Sequence, residues 1–195
     1  MGCRSNSLRR RRRQPFNRGP TAPCRLSIRF AAFRASPAAL EGYERTARLL
    51  TETFGYTLVK EAGNRFRFAA PGEDGAGKLI DLLCMPDRRR ASGGAGSVHH
   101  IAFRAKDDAE QRAWREQLVG MGFNVSPIMD RTYFHSIYFR EPGGILFEIA
   151  TDSPGFTADE ALEELGHNLR LPPWMESARA QIEGMLAPIT LPVRV

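Results

Sequence analysis

The sequence predicts an α+β fold in which two βαβββ modules pair into a half-open barrel. Three observations support this prediction: two stretches share one order of elements, a glycine ends each predicted helix, and a constant offset relates the stretches. Gly55 and Gly122 are 67 positions apart, and the same offset relates Asp81 to Glu148. A repeated order of elements at a fixed offset indicates internal duplication.

The first module is predicted over residues 25–86. It begins with a weak strand, continues with a helix whose apolar stripe is closed by Gly55, and finishes with three strands. In order, these elements are expected at Arg25–Phe33, Pro37–Phe54, Tyr56–Lys60, Arg65–Ala69 and Lys78–Leu83. The linker that follows, Pro86–Gly96, is rich in Arg, Gly and Ser, as is typical of a surface connection.

The second module is predicted over residues 97–152 and has clearer patterns. Its helix carries apolar residues at helical spacing, and a Glu-Pro-Gly-Gly turn at residues 141–144 separates its last two strands. In order, the elements are expected at Val98–Arg104, Asp107–Met121, Asn124–Met129, Tyr133–Arg140 and Ile145–Ala150. We expect a helical extension over residues 153–195.

The amino-terminal segment differs from the rest in charge. Residues 1–40 hold ten arginines and no acidic residue, whereas the rest of the chain carries the other 18 basic residues and all 22 acidic ones. We therefore predict that residues 1–24 form a disordered basic tail. Non-specific nucleic-acid binding and organelle targeting are alternatives for this tail, but no sequence-specific nucleic-acid partner is expected, because no aromatic or helical reading element accompanies the charge.

Composition also limits the compartment. No stretch approaches the roughly 20 apolar residues of a membrane span, so no membrane association is expected. The three cysteines are odd in number and lack metal-site spacing, which predicts no disulfide framework and favours a reducing compartment. We expect a cytoplasmic protein.

Two predicted strands of the second module carry ionisable side chains within apolar runs. His99 and His100 lie in the first strand, and Glu148 lies in the last. Burying such groups is costly unless they find a partner, and a neutral imidazole with a carboxylate is a ligand set that suits Fe(II). Because alternate residues of a strand share a face, only one of the two histidines can face the interior, and we favour His100. The alternative is a buried core histidine with Glu148 paired to an arginine.

Tyr138 and Arg131 are further candidates, because a strand position could turn the Tyr138 hydroxyl inward and Arg131 could reach an anionic substrate. The alternative reading is a core aromatic and a surface charge.

The segments Val-His-His-Ile-Ala-Phe-Arg (98–104), Met-Asp-Arg-Thr-Tyr-Phe-His-Ser-Ile-Tyr-Phe-Arg-Glu-Pro-Gly-Gly-Ile-Leu-Phe-Glu-Ile-Ala-Thr-Asp (129–152) and Pro-Gly-Phe (154–156) resemble the ring-cleaving dioxygenases of the vicinal oxygen chelate superfamily. Within it, the group acting on hydroquinone-type aromatics is the nearest match. Residues 165–176 also look like that group's carboxy-terminal extension.

The resemblance implies extradiol chemistry on a small aromatic diol and O₂, with Fe(II), or alternatively Mn(II), as the metal. It implies that His100 and Glu148 are metal ligands and that Tyr138 and Arg131 contact substrate or oxygen. His99 or His135 is then expected to act as the acid–base group.

This sequence differs from the family pattern in one respect. It implies four modules, with a further histidine ligand in an amino-terminal His-His-Ile segment, which this sequence lacks. The first module is expected to offer Phe33 at the position of His100 and Asp81 at that of Glu148. A missing half supplied by another chain, a homodimer that completes the site, or a degenerate protein would each explain this.

Two other function classes remain open at this point. One is a metal-free binding protein of the bleomycin-resistance type, and the other is a glyoxalase-like lyase or isomerase. The second would need ligands from both modules.

Overall fold

The computed structural model describes residues 35–72, 77–87 and 93–188. The chain divides into two compact units, one formed by residues up to His99 together with Glu141–Ile145, and the other by His100–Arg140 with the residues from Leu146 onward. Each unit contains one four-stranded mixed sheet. The sheets are open, with helices beside them, and the predicted α+β class with two βαβββ modules is confirmed.

The first sheet has the strand order β1-β4-β3-β2. β1 runs parallel to β4, and the other neighbours are antiparallel. Its strands and helix are β1 (Ala35–Leu40), α1 (Glu44–Arg48), continued by a π-helical turn (Leu49–Thr53), β2 (Thr57–Ala62), β3 (Arg65–Ala69) and β4 (Leu79–Cys84). Alternation buries Phe66 and Phe68 of β3 on one face, whereas Arg65 and Arg67 lie on the more open face.

The second sheet repeats this arrangement in the order β5-β8-β7-β6. Its elements are β5 (Ile101–Ala105), α2 (Asp108–Gly120), β6 (Met129–Asp130), β7 (His135–Arg140) and β8 (Leu146–Thr151). β5 runs parallel to β8, whereas β7 is antiparallel to both β8 and β6. The core of this unit consists of large apolar side chains that are almost fully buried, namely Leu118, Ile137, Phe139, Phe147 and Ile149.

Helix α2 begins where its capping residues dictate. The Asp107 carboxylate accepts a hydrogen bond from the Glu110 backbone N–H, and the Glu110 carboxylate accepts one from the Lys106 N–H. These bonds satisfy amide groups that a helix start leaves unpaired. Gly55 and Gly122 follow the two helices with φ angles of 70° and 87°, a left-handed conformation that glycine adopts without strain. The predicted helix ends are therefore confirmed.

The beginning of the first module differs from the prediction. Residues 35–40 form strand β1, so the helix predicted over Pro37–Phe54 is wrong in its first part, and α1 begins at Glu44. Ala38 and Leu40 are the buried residues of this strand, and their spacing of two is that of one strand face. Leu40 also falls on the apolar stripe of the predicted helix, which continues at Tyr43. Pro37 is accommodated because β1 is an edge strand. The strand predicted at Arg25–Phe33 and the tail at residues 1–24 lie outside the described residues.

The strand predicted at Asn124–Met129 is also wrong. Only Met129–Asp130 pairs as β6, because Pro127 has no N–H for a ladder bond. Ser126 instead exchanges two bonds with Tyr138, one from its backbone N–H to the Tyr138 carbonyl and one from the Tyr138 N–H to its hydroxyl.

After β8, the chain continues in short helical segments. Three 3₁₀ turns, Phe156–Ala158, Leu162–Glu164 and Pro173–Ala178, precede α3 (Arg179–Met185), so the helical segments of the described extension end at Met185. Among the described residues, no helix has the length and hydropathy of a membrane span.

Candidate functional site

The second unit brings His100 and Glu148 together. The two residues lie on neighbouring chain segments, since β5 runs parallel to β8 with Ala102 opposite Glu148. His100 Nε2 lies 2.6 Å from Glu148 Oε2. The Glu148 side chain is 4% exposed and that of His100 is 33% exposed, so the carboxylate is buried while the imidazole reaches solvent.

The other carboxylate oxygen of Glu148 accepts hydrogen bonds from two hydroxyl groups on β7. The Tyr138 hydroxyl donates to Glu148 Oε1 at 2.7 Å, and the Ser136 hydroxyl donates to the same atom. Strand register explains this, because Tyr138 is directly opposite Glu148, and Ser136 shares its face two residues earlier. Both donors are neutral, so the negative charge of the carboxylate is hydrogen-bonded but not compensated by them.

Arg131 extends this network outward. Its guanidinium carbon lies 5.4 Å from the centre of the Tyr138 ring, and Nη2 is 3.4 Å from the Tyr138 hydroxyl oxygen. The first distance is within the range of a cation–π contact, whereas the second is long for a hydrogen bond. The arrangement places a permanent cation beside a phenol that is bonded to a carboxylate.

His135 and His99 lie elsewhere. His135 begins β7 on the opposite face from Tyr138, and its Nδ1 is 2.7 Å from Asp108 Oδ1 of α2. Its placement therefore gives no support to the predicted acid–base role in the Glu148 network. His99 is exposed and belongs to the first unit, and its role stays a prediction.

The first unit has a carboxylate at the position that corresponds to Glu148. Asp81 of β4 lies opposite Arg67 of β3 and Pro37 of β1, in the same register as Glu148, Tyr138 and Ala102. Two residues before Pro37 is Ala35, so Ala35 takes the position of His100. The expected equivalent, Phe33, is therefore wrong by two residues, and it lies outside the described residues.

Asp81 is held by two guanidinium groups. Arg67 donates from Nε and Nη2 to the two carboxylate oxygens at 2.7 and 2.9 Å, and Arg65 donates from Nη1 at 2.8 Å. The hydrogen bonds from Arg67 are the largest cause that holds the pKa of the Asp81 carboxyl below its usual 3.8, and Arg65 adds to them against the opposing effect of burial. With its side chain 1% exposed, Asp81 is an ionised carboxylate already compensated by cations.

A third buried carboxylate secures the turn between β7 and β8. Glu141 is 2% exposed, accepts hydrogen bonds from the backbone N–H groups of Gly143 and Ile145, and accepts one from the hydroxyl of the buried Thr46. A Cβ at Gly143 would collide with Leu40, so the turn requires glycine there. This part of the hairpin belongs to the first unit.

The sequence profile of the Glyoxalase/Bleomycin resistance protein/Dioxygenase superfamily matches residues 39–149, more than half of the chain. The chain belongs to this superfamily. A domain of the superfamily from Frankia sp. EAN1pec, 15% identical with a TM-score of 0.51, covers 63% of this chain and 91% of its own and shares the fold.

Several relatives within the superfamily carry dioxygenase names. The Bacillus subtilis (strain 168) protein named "Putative ring-cleaving dioxygenase MhqE" is 48% identical over 73% of this chain and 46% of its own length. A "Chlorohydroquinone/hydroquinone 1,2-dioxygenase" from Sphingobium indicum is 33% identical over 84% of this chain and 50% of its own. The crystal structure of a "putative dioxygenase from Bacillus subtilis subsp. subtilis str. 168", 43% identical, superimposes with a TM-score of 0.76 over 80% of this chain and 50% of that one. The chain thus spans about half the length of the relatives it matches.

Members of this superfamily usually bind a metal, and the second unit offers two donors for one. His100 and Glu148 converge on one face, and their atoms are of the kinds that Fe(II) and Mn(II) accept. The usual Fe(II) set has two histidines and one carboxylate, and residues 35–72, 77–87 and 93–188 contain no group of three His, Cys, Asp or Glu arranged for a metal. The described residues therefore fit two of three ligand positions.

Among the residues that bond the two carboxylates, sequence reasoning named Tyr138 but missed Ser136, Arg65 and Arg67. Ser136 gave no signal, because a serine in a strand is common. Arg65 and Arg67 did give one, since residues two apart in a strand share a face, and they flank the position opposite Asp81.

Proposed function

We propose that this chain is the metal-binding half of a ring-cleaving dioxygenase that acts on hydroquinone-like or catechol-like diols. The observation that carries the proposal is the 2.6 Å approach of His100 Nε2 to Glu148 Oε2, beside a carboxylate that otherwise accepts only from neutral hydroxyls. The names of the relatives support the reaction class. In this proposal His100 and Glu148 bind Fe(II), with Mn(II) as the alternative, and the third ligand comes from outside the described residues.

Bound Fe(II) would supply open coordination positions for the diol and O₂ and a path for electrons between them. The chain's own residues have separate tasks. Ser136 and Tyr138 fix Glu148 Oε1, which leaves Oε2 directed toward His100. Residues that orient a ligand in this way usually raise metal affinity.

Tyr138 and Arg131 are proposed to act on the substrate. Tyr138 holds a proton at its hydroxyl oxygen, shared with Glu148 Oε1, and this proton can move to an oxygen that gains charge during the reaction. The Arg131 guanidinium lies on the solvent side of Tyr138 and can pair with the phenolate of an ionised diol.

The proposal is tested with the full chain, reconstituted without oxygen. Isothermal titration with Mn(II) should give close to one site per chain, which is lost in Glu148→Ala and His100→Ala and kept in the matched variant His135→Ala. Oxygen uptake with hydroquinone should follow Fe(II) loading once a third ligand is supplied. Metal content that ignores both Glu148→Ala and His100→Ala would contradict the assignment.

One observation favours a second candidate. Because no three-donor group occurs in the described part of the chain, a metal-free binding protein of the bleomycin-resistance type remains the alternative. Tight binding of hydroquinone by the metal-free chain, with no Mn(II) binding, would support it. A glyoxalase-like lyase, which needs ligands from both modules, is disfavoured because Arg65 and Arg67 already occupy Asp81.

A further inference from the structure

The turn between β6 and β7 carries Arg131, and strand pairing contributes little to holding it. On its amino-terminal side only Met129 and Asp130 pair with β7. The Arg131 side chain is exposed, and its contact with the site is with Tyr138. Because core packing does not fix this side chain, the position of the guanidinium depends on the backbone of residues 131–134.

This backbone is in a strained conformation. Thr132 has a φ of 70°, in the left-handed region that a β-branched residue seldom adopts. Two local bonds favour it, since the Thr132 N–H donates to the Asp130 carboxylate at 2.7 Å and the Arg131 N–H donates to the Phe134 carbonyl at 2.9 Å. Such conformations persist where the surrounding structure imposes them, and they are most frequent at functional sites. The turn therefore needs support from the rest of its unit.

Hydrogen bonds join the turn to the segment that follows β8, residues 155–159. The Gly155 N–H donates to the Tyr133 carbonyl at 2.8 Å, and the Tyr133 hydroxyl donates to Asp159 Oδ2 at 3.1 Å. The segment belongs to the same compact unit as the turn. Tyr133 is thus bonded through both its main chain and its side chain, immediately after the strained Thr132.

Phe156 adds two ring contacts to these bonds. Its ring centre lies 5.2 Å from that of Tyr133 and 6.4 Å from that of Phe134, within the range of attractive aromatic pairs. Phe156 is 61% exposed, so burial in the core does not explain its position. Its place against the two residues that follow Thr132 indicates a role in the shape of the turn.

We propose that Tyr133 and Phe156 are positioning residues, which fix the strained turn so that the Arg131 guanidinium lies over the Tyr138 ring. The support passes from the segment after β8 to Tyr133, and from there along the main chain to Thr132 and Arg131. This inference deepens the proposed function and rests on it, because it makes the affinity of Arg131 for the phenolate of a diol depend on residues outside the site.

The first test needs neither metal nor substrate. NMR of the isotope-labelled full chain reports the Arg131 Nε–H signal, which is assigned by its absence in Arg131→Lys. Because the guanidinium lies over an aromatic ring, Tyr138→Leu removes the ring-current shift and gives the reference for full displacement. Phe156→Ala should move the signal most of the way to that reference, whereas Phe156→Tyr, which keeps a ring, should retain the wild-type position. Leu162→Ala, which changes an exposed apolar residue of a later 3₁₀ turn, is the matched control and should leave the signal in place.

The second test measures substrate affinity. Isothermal titration of the Mn(II)-loaded chain with hydroquinone, in the absence of oxygen, should give a dissociation constant that rises about 5-fold in Phe156→Ala. Tyr133→Phe, which loses only the bond to Asp159, should raise it about 2-fold. Arg131→Ala should raise it at least as much as Phe156→Ala does. The double variant should then show no further loss, because both changes remove the same contact.

The outcomes distinguish this inference from the proposed function. A signal that moves in Phe156→Ala, together with weaker hydroquinone binding, supports both. A signal that moves while the wild type binds no hydroquinone supports the positioning of the guanidinium and contradicts the proposed function. A signal that stays in place, an unchanged affinity, or additive losses in the double variant would overturn the inference. Circular dichroism verifies folding, and Tyr133→Phe serves for both measurements if Phe156→Ala does not fold.

Discussion

The two modules place a carboxylate at the same point of the same sheet and surround it with different partners. Arg65 and Arg67 of the first module correspond in register to Ser136 and Tyr138 of the second, and each pair bonds the carboxylate of the neighbouring strand. In the first module the partners are cations, so Asp81 has no net charge left for a metal ion.

The second module has neutral hydroxyls at those positions and an imidazole where the first has Ala35. In the described residues, Glu148 contacts Ser136, Tyr138 and His100 rather than an arginine pair, and we propose that this leaves it able to bind a cation. The comparison teaches that the fold supplies the place for a ligand, whereas the residues beside it decide whether a metal can bind.

The largest expected effect is on metal affinity. Glu148→Ala should lower the affinity for Mn(II) by more than about 100-fold, because loss of a ligand exceeds the roughly 10- to 100-fold effect of losing its supporting residues. Asp81→Ala should change it by less than about 3-fold, since Asp81 is occupied by arginines. Isothermal titration measures both, and equal losses in the two variants would break the comparison.

The free energy of unfolding should respond more strongly to a change in the first module than to the matched change in the second. Arg67→Ala leaves the buried Asp81 with Arg65 alone and should lower the free energy of unfolding by about 2 kcal/mol, less than the 3–5 kcal/mol of a fully buried pair because Arg67 is 34% exposed. Tyr138→Phe, the matched change in the second module, removes one neutral hydrogen bond and should cost about 1 kcal/mol. Urea unfolding compares them, and the reverse order would refute this reading of the two sites.

Ser136→Ala sharpens the description of the second site. Without its hydroxyl, Glu148 Oε1 retains only the bond from Tyr138, so Mn(II) affinity should fall about 10-fold. A Mn(II) electron paramagnetic resonance spectrum should change as well, which a purely structural effect on a folded chain would not produce. Arg65→Ala is the control at the equivalent position, and an equal response there would argue against the orienting role.

The smallest expected effect is on the free energy of unfolding at acidic pH. Because its folded-state pKa lies below the usual 3.8, Asp81 stabilises the native state fully above about pH 4. This contribution disappears as the pH falls through the lowered pKa. Wild type should therefore lose stability as the pH falls from 6 to 3, whereas the pH profile of Asp81→Asn should be flatter below pH 4. Identical profiles in urea melts at pH 3 and pH 6 would contradict the argument.

The sequence predicted a helix or strand well where the hydrophobic residues of that segment followed a single periodicity. Helix α2 and strands β7 and β8 followed single patterns and appear close to their predicted places. Strand β1 was missed because Leu40 fits the alternating pattern with Ala38 and also the helical stripe that continues at Tyr43. The short β6 was overestimated because the effect of Pro127 was not weighed.

The sequence predicted the part of the site in which ionisable side chains lie within apolar strands, because burying such side chains is costly. An imidazole and a carboxylate in apolar strands drew attention to His100 and Glu148, and the structure brings them within 2.6 Å of each other. The partners of Asp81 and the buried Glu141 were not predicted, because arginine in a strand and glutamate before a proline are ordinary on a surface. Their importance comes from long-range contacts such as that between Thr46 and Glu141, separated by 95 positions, which no local pattern reveals.

The turn held by Glu141 has a consequence for dissecting the molecule. Because residues 141–145 are counted with the first unit while the strands on either side are not, the polypeptide passes between the units three times. Cutting the chain near residue 99 would leave the later fragment with a β7–β8 turn that lacks the hydrogen bond from Thr46. Separate expression of either half should therefore yield poorly folded material, and heating the intact chain should melt both halves in one cooperative step.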